Sequence, residues 1–248
     1  MAKKRLVFIH GFLENASMWQ PVVPRLSKKE NGVSTPELPG HGKNLSLPKE
    51  ISAKSYCHNI LEQLDLEEEE SVFIVAHSMG GYLSATLASM IPEKIRGLCF
   101  FHSKASADTQ EKIADRERAI KAARENKELY VRTMLTSVFH PDNRTRCKDS
   151  LEKLIADAGK LSTEAVVAAQ QVMISRPDQI ATLQNRNFPL YYFLGDADPS
   201  LPLDIMKGEL DQMPGAVAQI EPGIAHMGHL EHPQAAIDFI QRILRADL

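Results

Sequence analysis

Three segments of the chain carry side chains suited to nucleophilic catalysis: a serine, a pair of aspartates and a cluster of histidines. Ser78 follows the apolar run 72–76 and precedes Gly80 and Gly81. A serine hydroxyl is a weak nucleophile at neutral pH. It needs a neutral imidazole to take its proton and a carboxylate to orient that imidazole. A histidine and a carboxylate elsewhere in the chain are therefore the partners that Ser78 requires.

Candidate bases lie near the carboxyl end of the chain, where His226, His229 and His232 follow one another at intervals of three residues. Such a cluster also raises the possibility of a metal site. Neither cysteines nor clustered carboxylates elsewhere complete a tetrahedral ligand set. We therefore expect a general base in this segment, and neither a metal nor any other cofactor.

Candidate carboxylates close an apolar run at residues 190–194, where Asp196 and Asp198 follow Gly195. A carboxylate at the carboxyl end of a strand is well placed to orient a histidine on a neighbouring loop. The residues themselves leave the choice between the two aspartates open.

The elements that must position these residues are short apolar runs alternating with segments of helical period. Such an alternation predicts an α/β fold with a mostly parallel sheet of about six strands flanked by helices. The expected strands are 6–9, 33–38, 71–76, 97–101, 190–194 and 216–220. The expected helices beside them are 18–29, 53–66, 80–91 and 234–244.

The alternation breaks once, between residues 104 and 187, where no strand is expected. Four segments with helical spacing of apolar residues follow one another there: 107–125, 127–139, 150–158 and 163–175. An all-helical block between two strands predicts an inserted lid at 104–187. The core domain then comprises 1–103 and 188–248.

The passage from an apolar strand into Ser78 and a helix is typical of a nucleophile elbow, a tight turn that projects the serine hydroxyl above the sheet. Small residues on both sides, Ala76 and Gly80, allow strand and helix to approach closely. The amide of Met79, at the helix start, is placed to stabilise a developing oxyanion. A serine that merely caps the helix is the structural alternative.

Together these segments resemble the α/β-hydrolase superfamily. The resemblance extends to His10-Gly11-Phe12 after the first strand, to the stretch 39–42, and to the loop 223–233 before the last helix. It covers nearly the whole length apart from the lid. It also implies that the family's first two strands are missing here, because the first expected strand already leads into His10.

The resemblance assigns roles that the residues alone leave open. The family's acid position falls on Asp198, and its catalytic histidine falls on His226, with Ser78 as nucleophile. The backbone amide of Phe12 is implied as the second oxyanion donor beside that of Met79. The order serine, acid, histidine along the chain is also the order of this family.

The resemblance further implies a serine hydrolase, and a carboxylesterase acting on a small molecule with an apolar acyl group is the plainest expectation. Serine at the elbow disfavours epoxide hydrolases and haloalkane dehalogenases, which carry aspartate there. A carbon–carbon bond hydrolase and a non-catalytic ligand receptor are the alternatives. Candidate pocket residues are Phe12, Met79, Tyr130, Met134, Phe139 and Met173.

The composition gives no reason to expect a macromolecular partner. Apolar residues make up 43% of the 248 residues, and the net charge of −3 suits neither nucleic acid nor an anionic membrane. Three cysteines in no metal or redox spacing favour a reducing compartment, so a cytoplasmic location is expected. The amino-terminal apolar run 6–9 is shorter than the ~7–15 residues of a secretory signal.

Overall fold

The computed structural model describes residues 3–26 and 32–247, and it contains one six-stranded parallel sheet. The strands are β1 (Lys4–Ile9), β2 (Val33–Ser34), β3 (Ser71–His77), β4 (Ile95–Phe101), β5 (Leu190–Gly195) and β6 (Val217–Glu221). Their order across the sheet is β2-β1-β3-β4-β5-β6, and each neighbouring pair is parallel. The predicted α/β fold with about six parallel strands is confirmed.

Helices flank this sheet and follow its strands. Those outside the predicted lid are α1 (Ala53–Leu64), α2 (Met79–Met90), α8 (Leu203–Leu210), α9 (Gly228–Glu231) and α10 (Pro233–Asp247). Helices α8 and α9 were not expected from the sequence. The five helices between β4 and β5 are α3 (Gln110–Glu125), α4 (Lys127–Ser137), α5 (Lys148–Ala158), α6 (Thr163–Ser175) and α7 (Ile180–Gln184).

The central strands are buried on both faces, which explains why their sequences are continuously apolar. On one face, β1, β3, β4 and β5 pack against α10 and Trp19, and the rings of Phe101 and Phe193 stack with centroids 4.8 Å apart. On the other face they pack against α1, α2 and the helices of 104–187. Each fully buried Phe or Leu side chain contributes ~1.5–3 kcal/mol to stability.

Two predicted elements differ from those observed. The segment 18–29 was predicted as one helix, but it forms two short 3-10 helices, Ala16–Trp19 and Val23–Arg25, and residues 27–29 lie outside the described residues. Pro21 and Pro24 interrupt a longer helix because proline lacks an amide hydrogen. Strand β2 ends at Ser34 rather than at residue 38, since the prolines at 36 and 39 cannot donate to a ladder.

The segment 104–187 is helical throughout its regular structure. Helix α3 packs against α4 and α6, while α6 contacts α1 and α7 contacts α2. Its function as a lid, and the boundaries drawn for it, stay predictions. In the parts of the chain that the structure describes, no helix is both long and apolar enough to cross a membrane.

Candidate active site

Ser78 lies at the sharp turn between β3 and α2, in a strained backbone conformation with φ 49° and ψ −118°. Such a conformation is costly for a residue with a Cβ, and surrounding contacts must stabilise it. Gly80 makes the turn possible, because a Cβ there would lie 2.5 Å from the carbonyl oxygen of His10 at the end of β1. The half-buried serine therefore stands at the carboxyl edge of the sheet, where the elbow was predicted.

The structure brings the serine, histidine and aspartate of the predicted triad into one hydrogen-bonded line. The Oγ of Ser78 lies 2.8 Å from Nε2 of His226, and Nδ1 of His226 lies 2.7 Å from Oδ2 of Asp198. Because an ionised carboxylate only accepts, Nδ1 carries the hydrogen and Nε2 is free to accept the serine proton. This is the tautomer that general-base catalysis requires.

Asp198 is held ionised by four donors, although it is 4% exposed. Its Oδ1 accepts from the amides of Ser200 (2.8 Å) and Leu201 (3.2 Å). Its Oδ2 accepts from His226 and, at 3.1 Å, from Nδ1 of His102. Burial opposes the charge, but the two histidines and their hydrogen bonds outweigh it, so the pKa of Asp198 falls well below its usual range.

Asp196, the competing carboxylate, lies elsewhere. It is exposed, and its Oδ1 accepts the amide hydrogen of Gly223 at 2.8 Å. Its role is to fix the start of the loop that carries His226, and it does not contact the histidine ring.

His102 is a neighbour of the triad that the sequence did not single out. It follows β4 directly in a left-handed conformation, with φ 46°, and it is fully buried. Burial lowers its pKa to about 4 despite the contact with Asp198, so the ring is neutral at pH 7. Its position at the carboxyl end of a strand, on the same edge as the triad, was the only sequence signal available.

The two amides predicted to form an oxyanion hole flank the serine. Met79 begins α2 directly after Ser78. On the other side, Gly11 precedes Phe12, and a Cβ added at Gly11 would lie 3.1 Å from the Cβ of Ser78. Neither the N–H of Phe12 nor that of Met79 donates a hydrogen bond to another described residue. Both amide hydrogens can therefore donate to an acceptor atom of a bound ligand.

The loop that carries His226 is clamped to the helical segment by Glu231, which is 1% exposed. Its Oε1 accepts from the amides of Ala225 (3.1 Å) and Met227 (3.2 Å), on either side of the histidine. Its Oε2 accepts from the amide of His140 (2.9 Å) and from Asn143 (2.8 Å). In addition, the amide of His226 itself donates to the carbonyl of Val138 at 3.0 Å.

A second buried cluster lies beneath the triad. The Oε2 of Glu14 is 2.7 Å from the amide of Gly11 and 2.7 Å from Nδ1 of His77, the residue before the nucleophile. The Nε2 of His77 is 3.0 Å from the carbonyl oxygen of His226. His229 completes the cluster, with Nε2 3.7 Å from Oε1 of Glu14.

The three histidines whose spacing raised a metal site do not converge, because the side chain of His232 is 51% exposed and pairs with Glu221 at 2.7 Å. Two other groups of described residues bring three ligand atoms within 4.8 Å: Glu14, His77 and His229, and His102, Asp198 and His226. In both groups hydrogen bonds between the members already occupy ligand atoms, and a metal ion would have to displace them.

The predicted pocket residues divide by burial. Met79, Phe139 and Met173 are at most 3% exposed and Phe12 is 6% exposed, whereas Tyr130 and Met134 are half-buried at the edge of the core. The hydroxyl of Tyr130 accepts a hydrogen bond from Gln170 at 2.8 Å, which fixes its polar end within the helical segment. Their contact with a substrate stays a prediction.

Comparison with known proteins identifies the family. The model of an alpha/beta hydrolase family matches residues 6–239. The chain belongs to this family. It is therefore an enzyme of the hydrolase class with esterase-like relatives.

Among curated relatives, 2-succinyl-6-hydroxy-2,4-cyclohexadiene-1-carboxylate synthase of Salmonella heidelberg (strain SL476) is 26% identical and aligns over 97% of this chain and 93% of its own. Methylesterase 4 of Arabidopsis thaliana is 35% identical over 101 residues, 40% of this chain and 38% of that relative. The chain thus spans less than half the length of the methylesterase it matches.

Solved structures share the fold at low identity. A thermophilic esterase from Thermogutta terrifontis superimposes with a TM-score of 0.87 and 21% identity, covering 99% of this chain and 91% of the other. MenH from S. aureus superimposes with a TM-score of 0.85 and 18% identity, covering 100% and 95%. At these identities the likeness establishes the fold.

Proposed function

We propose that this hydrolase cleaves a small-molecule carboxylic ester through an acyl-enzyme on Ser78, with His226 as general base and Asp198 orienting the histidine. The observation that carries the proposal is the continuous hydrogen-bonded line from Ser78 Oγ through His226 to Asp198, with distances of 2.8 and 2.7 Å. These distances suit proton transfer between serine and imidazole without rearrangement.

In the first half-reaction, the Oγ of Ser78 attacks the ester carbonyl carbon while its proton moves to Nε2 of His226. Asp198 stays ionised and stabilises the imidazolium that forms. The tetrahedral intermediate collapses as the carbon–oxygen bond to the alcohol breaks, and His226 returns its proton to the leaving alkoxide. In the second half-reaction, water attacks the acyl-enzyme with His226 again as base, which releases the acid and regenerates Ser78.

Negative charge that develops on the carbonyl oxygen needs donors fixed in advance. The amide hydrogens of Phe12 and Met79 are the proposed donors, supported by their positions beside Ser78 and by their lack of another described acceptor. A donor of this kind contributes ~3–4 kcal/mol to transition-state stabilisation.

We also propose that the acyl group is small and apolar. Apolar side chains from the loop after β1 and from the helical segment support this, since Phe12, Tyr130 and Met134 belong to or pack against one continuous apolar core. The helical segment 104–187 is then the lid that shapes the pocket.

A cytoplasmic location is part of the proposal. All three cysteine thiols, Cys57, Cys99 and Cys147, are free and buried. Unpaired thiols are the usual state in a reducing compartment.

Hydrolysis of p-nitrophenyl esters with acyl chains of two to twelve carbons tests the function, with wild type and Ser78→Ala compared at each length. We expect turnover that depends on Ser78, with an optimum at short chains. Wild-type-like rates in Ser78→Ala contradict the serine mechanism, and equal or better rates on long or charged esters contradict the small apolar pocket.

Carbon–carbon bond hydrolysis on the same residues is the second candidate. The relative that aligns over 97% of this chain is by name a carboxylate synthase and not an esterase, which favours a reaction other than ester hydrolysis. Labelling of Ser78 by a fluorophosphonate probe, together with inactivity on every ester of the series, supports this candidate over ester hydrolysis.

A further inference from the structure

The cluster beneath the triad joins three loops that the proposed mechanism uses separately. Glu14 accepts the amide hydrogen of Gly11, the residue before the oxyanion donor Phe12. His77 immediately precedes the nucleophile and contacts the backbone carbonyl of His226. One carboxylate and one imidazole therefore connect the carboxyl ends of β1, β3 and β6.

The hydrogen-bond partners determine the protonation of His77. Its Nε2 faces a backbone carbonyl oxygen, which can only accept, and its Nδ1 faces Oε2 of Glu14. That oxygen already accepts from Gly11, which favours the ionised carboxylate over the acid. Both ring nitrogens of His77 then carry hydrogens, so the pair is an imidazolium and a carboxylate.

The directions of the two pKa shifts agree with this assignment of hydrogens to His77 and Glu14. Burial opposes charge on both residues, since each is at most 1% exposed. Mutual attraction and their hydrogen bond nonetheless raise the pKa of His77 above its ordinary value and lower the pKa of Glu14 to about 2. A buried pair stabilised in this way is disrupted strongly when one partner is removed.

We infer that the Glu14–His77 ion pair is a positioning device that holds the oxyanion loop and the catalytic histidine in register with Ser78. The inference rests on the proposed function. The pair touches no reacting atom. It acts through the backbone of Gly11 on one side and the backbone of His226 on the other.

Gly11 is packed tightly against both residues of the ion pair. A Cβ at Gly11 would lie 2.6 Å from Oε2 of Glu14 and 2.7 Å from Nδ1 of His77. A change in the pair therefore moves the loop that carries the amide of Phe12. A displacement of about 1 Å at a reacting group lowers the rate by ~10²-fold.

Other titratable groups face His77 and enter any pH profile. The ring of His226 lies 5.0 Å away between centroids, that of His229 5.3 Å and that of His102 6.0 Å. Asp198 adds a weaker attraction beyond them. A pH profile of kcat/KM therefore reports on all of these groups together and not on His77 alone.

The variants Glu14→Gln, His77→Gln and their double combination test the inference. The matched control is Glu70→Gln, because Glu70 is also buried and ion-paired, with Arg5 at 2.7 Å, but lies at the opposite end of the sheet. We expect each single variant to lower kcat ~10²-fold with KM within about twofold, because oxyanion and base geometry matter in the transition state. The double variant should be no slower than either single one.

Glu70→Gln is expected to lower only thermal stability. Values of kcat within threefold of wild type in folded Glu14→Gln, or multiplicative losses in the double variant, overturn the inference. So does a kcat loss in Glu70→Gln equal to that in Glu14→Gln.

A measurement on the wild-type protein keeps the inference testable if the variants do not fold. Proton–nitrogen correlation spectra at pH 7.5 should contain two ring N–H signals for His77, one from each nitrogen. A single ring N–H signal overturns the ion pair. Serine-dependent ester turnover is measured separately in the wild type, so a failure of the proposed function is distinguishable from a failure of the pair.

Discussion

Replacement of Glu231 by glutamine probes how firmly the histidine loop is held. The carboxylate accepts four hydrogen bonds, two from the amides of Ala225 and Met227 and two from His140 and Asn143. Glutamine has the same shape, but one of its ends is an amide nitrogen that cannot accept. Whichever way the amide turns, two of the four donors lose their acceptor and face another donor.

The expected loss of stability follows from the number of hydrogen bonds that are lost. A hydrogen bond to a charged group is worth ~1.5–3 kcal/mol. Loss of two such bonds is therefore expected to lower the free energy of unfolding by ~3–6 kcal/mol, a large part of the ~5–15 kcal/mol typical of a domain. Because two of the bonds flank His226, we also expect kcat to fall while KM changes little.

Urea denaturation with linear extrapolation measures the first effect, and p-nitrophenyl acetate hydrolysis measures the second. The exposed Glu62 on α1 supplies a control, Glu62→Gln, for which the free energy of unfolding should change by less than ~0.5 kcal/mol. A change below 1 kcal/mol in Glu231→Gln would refute the view that this carboxylate clamps the loop.

Two further predictions concern the elbow and the response to acid. Gly80→Ala places a methyl group against the carbonyl oxygen of His10, and it should lower the free energy of unfolding by ~1–3 kcal/mol and abolish most activity. The control Gly208→Ala, in open space on α8, should be neutral or stabilising by up to ~1 kcal/mol. Equal shifts of the melting temperature in the two variants contradict this prediction. Burial lowers the pKa of three histidines: His41 (about 4), His102 (about 4) and His229 (about 3). Below pH ~6.5 their unfolded forms bind more protons than the folded ones, so stability should fall towards pH 4 by up to ~1.4 kcal/mol per unit for each. His77, whose pKa is raised, opposes this trend. An unchanged urea midpoint between pH 7.5 and 5.0 contradicts this prediction.

The sequence predicted those features that depend on local order along the chain. Short apolar runs identify strands because both faces of the sheet are covered. The elbow around Ser78 is local too, since strand, serine and helix are contiguous. The choice of Asp198 over Asp196 came only from the family resemblance, and the amides of residues 200 and 201 that hold it are a property of the folded loop.

The residues that support the triad could not be predicted in the same way. Glu14 and His77 are 63 positions apart, and His102 is 96 positions from Asp198. Contacts at such separations leave no periodic or spacing signal, and a buried histidine after a strand looks the same whether or not it meets a carboxylate. The prediction of one helix over 18–29 was wrong for another reason. The apolar residues of this segment have helical spacing, but its prolines prevent a continuous helix.

The bond from the amide of His226 to the carbonyl of Val138 has a consequence for recombination of this fold. A lid such as the one proposed at 104–187 is a natural unit to exchange between homologues, because it is one continuous segment between two neighbouring strands, β4 and β5. Here the stretch 138–143 forms part of the scaffold of the histidine, so a graft that replaces all of 104–187 also removes an acceptor for the base's own backbone. A chimera that retains 138–143 and exchanges the helices around it keeps that scaffold intact.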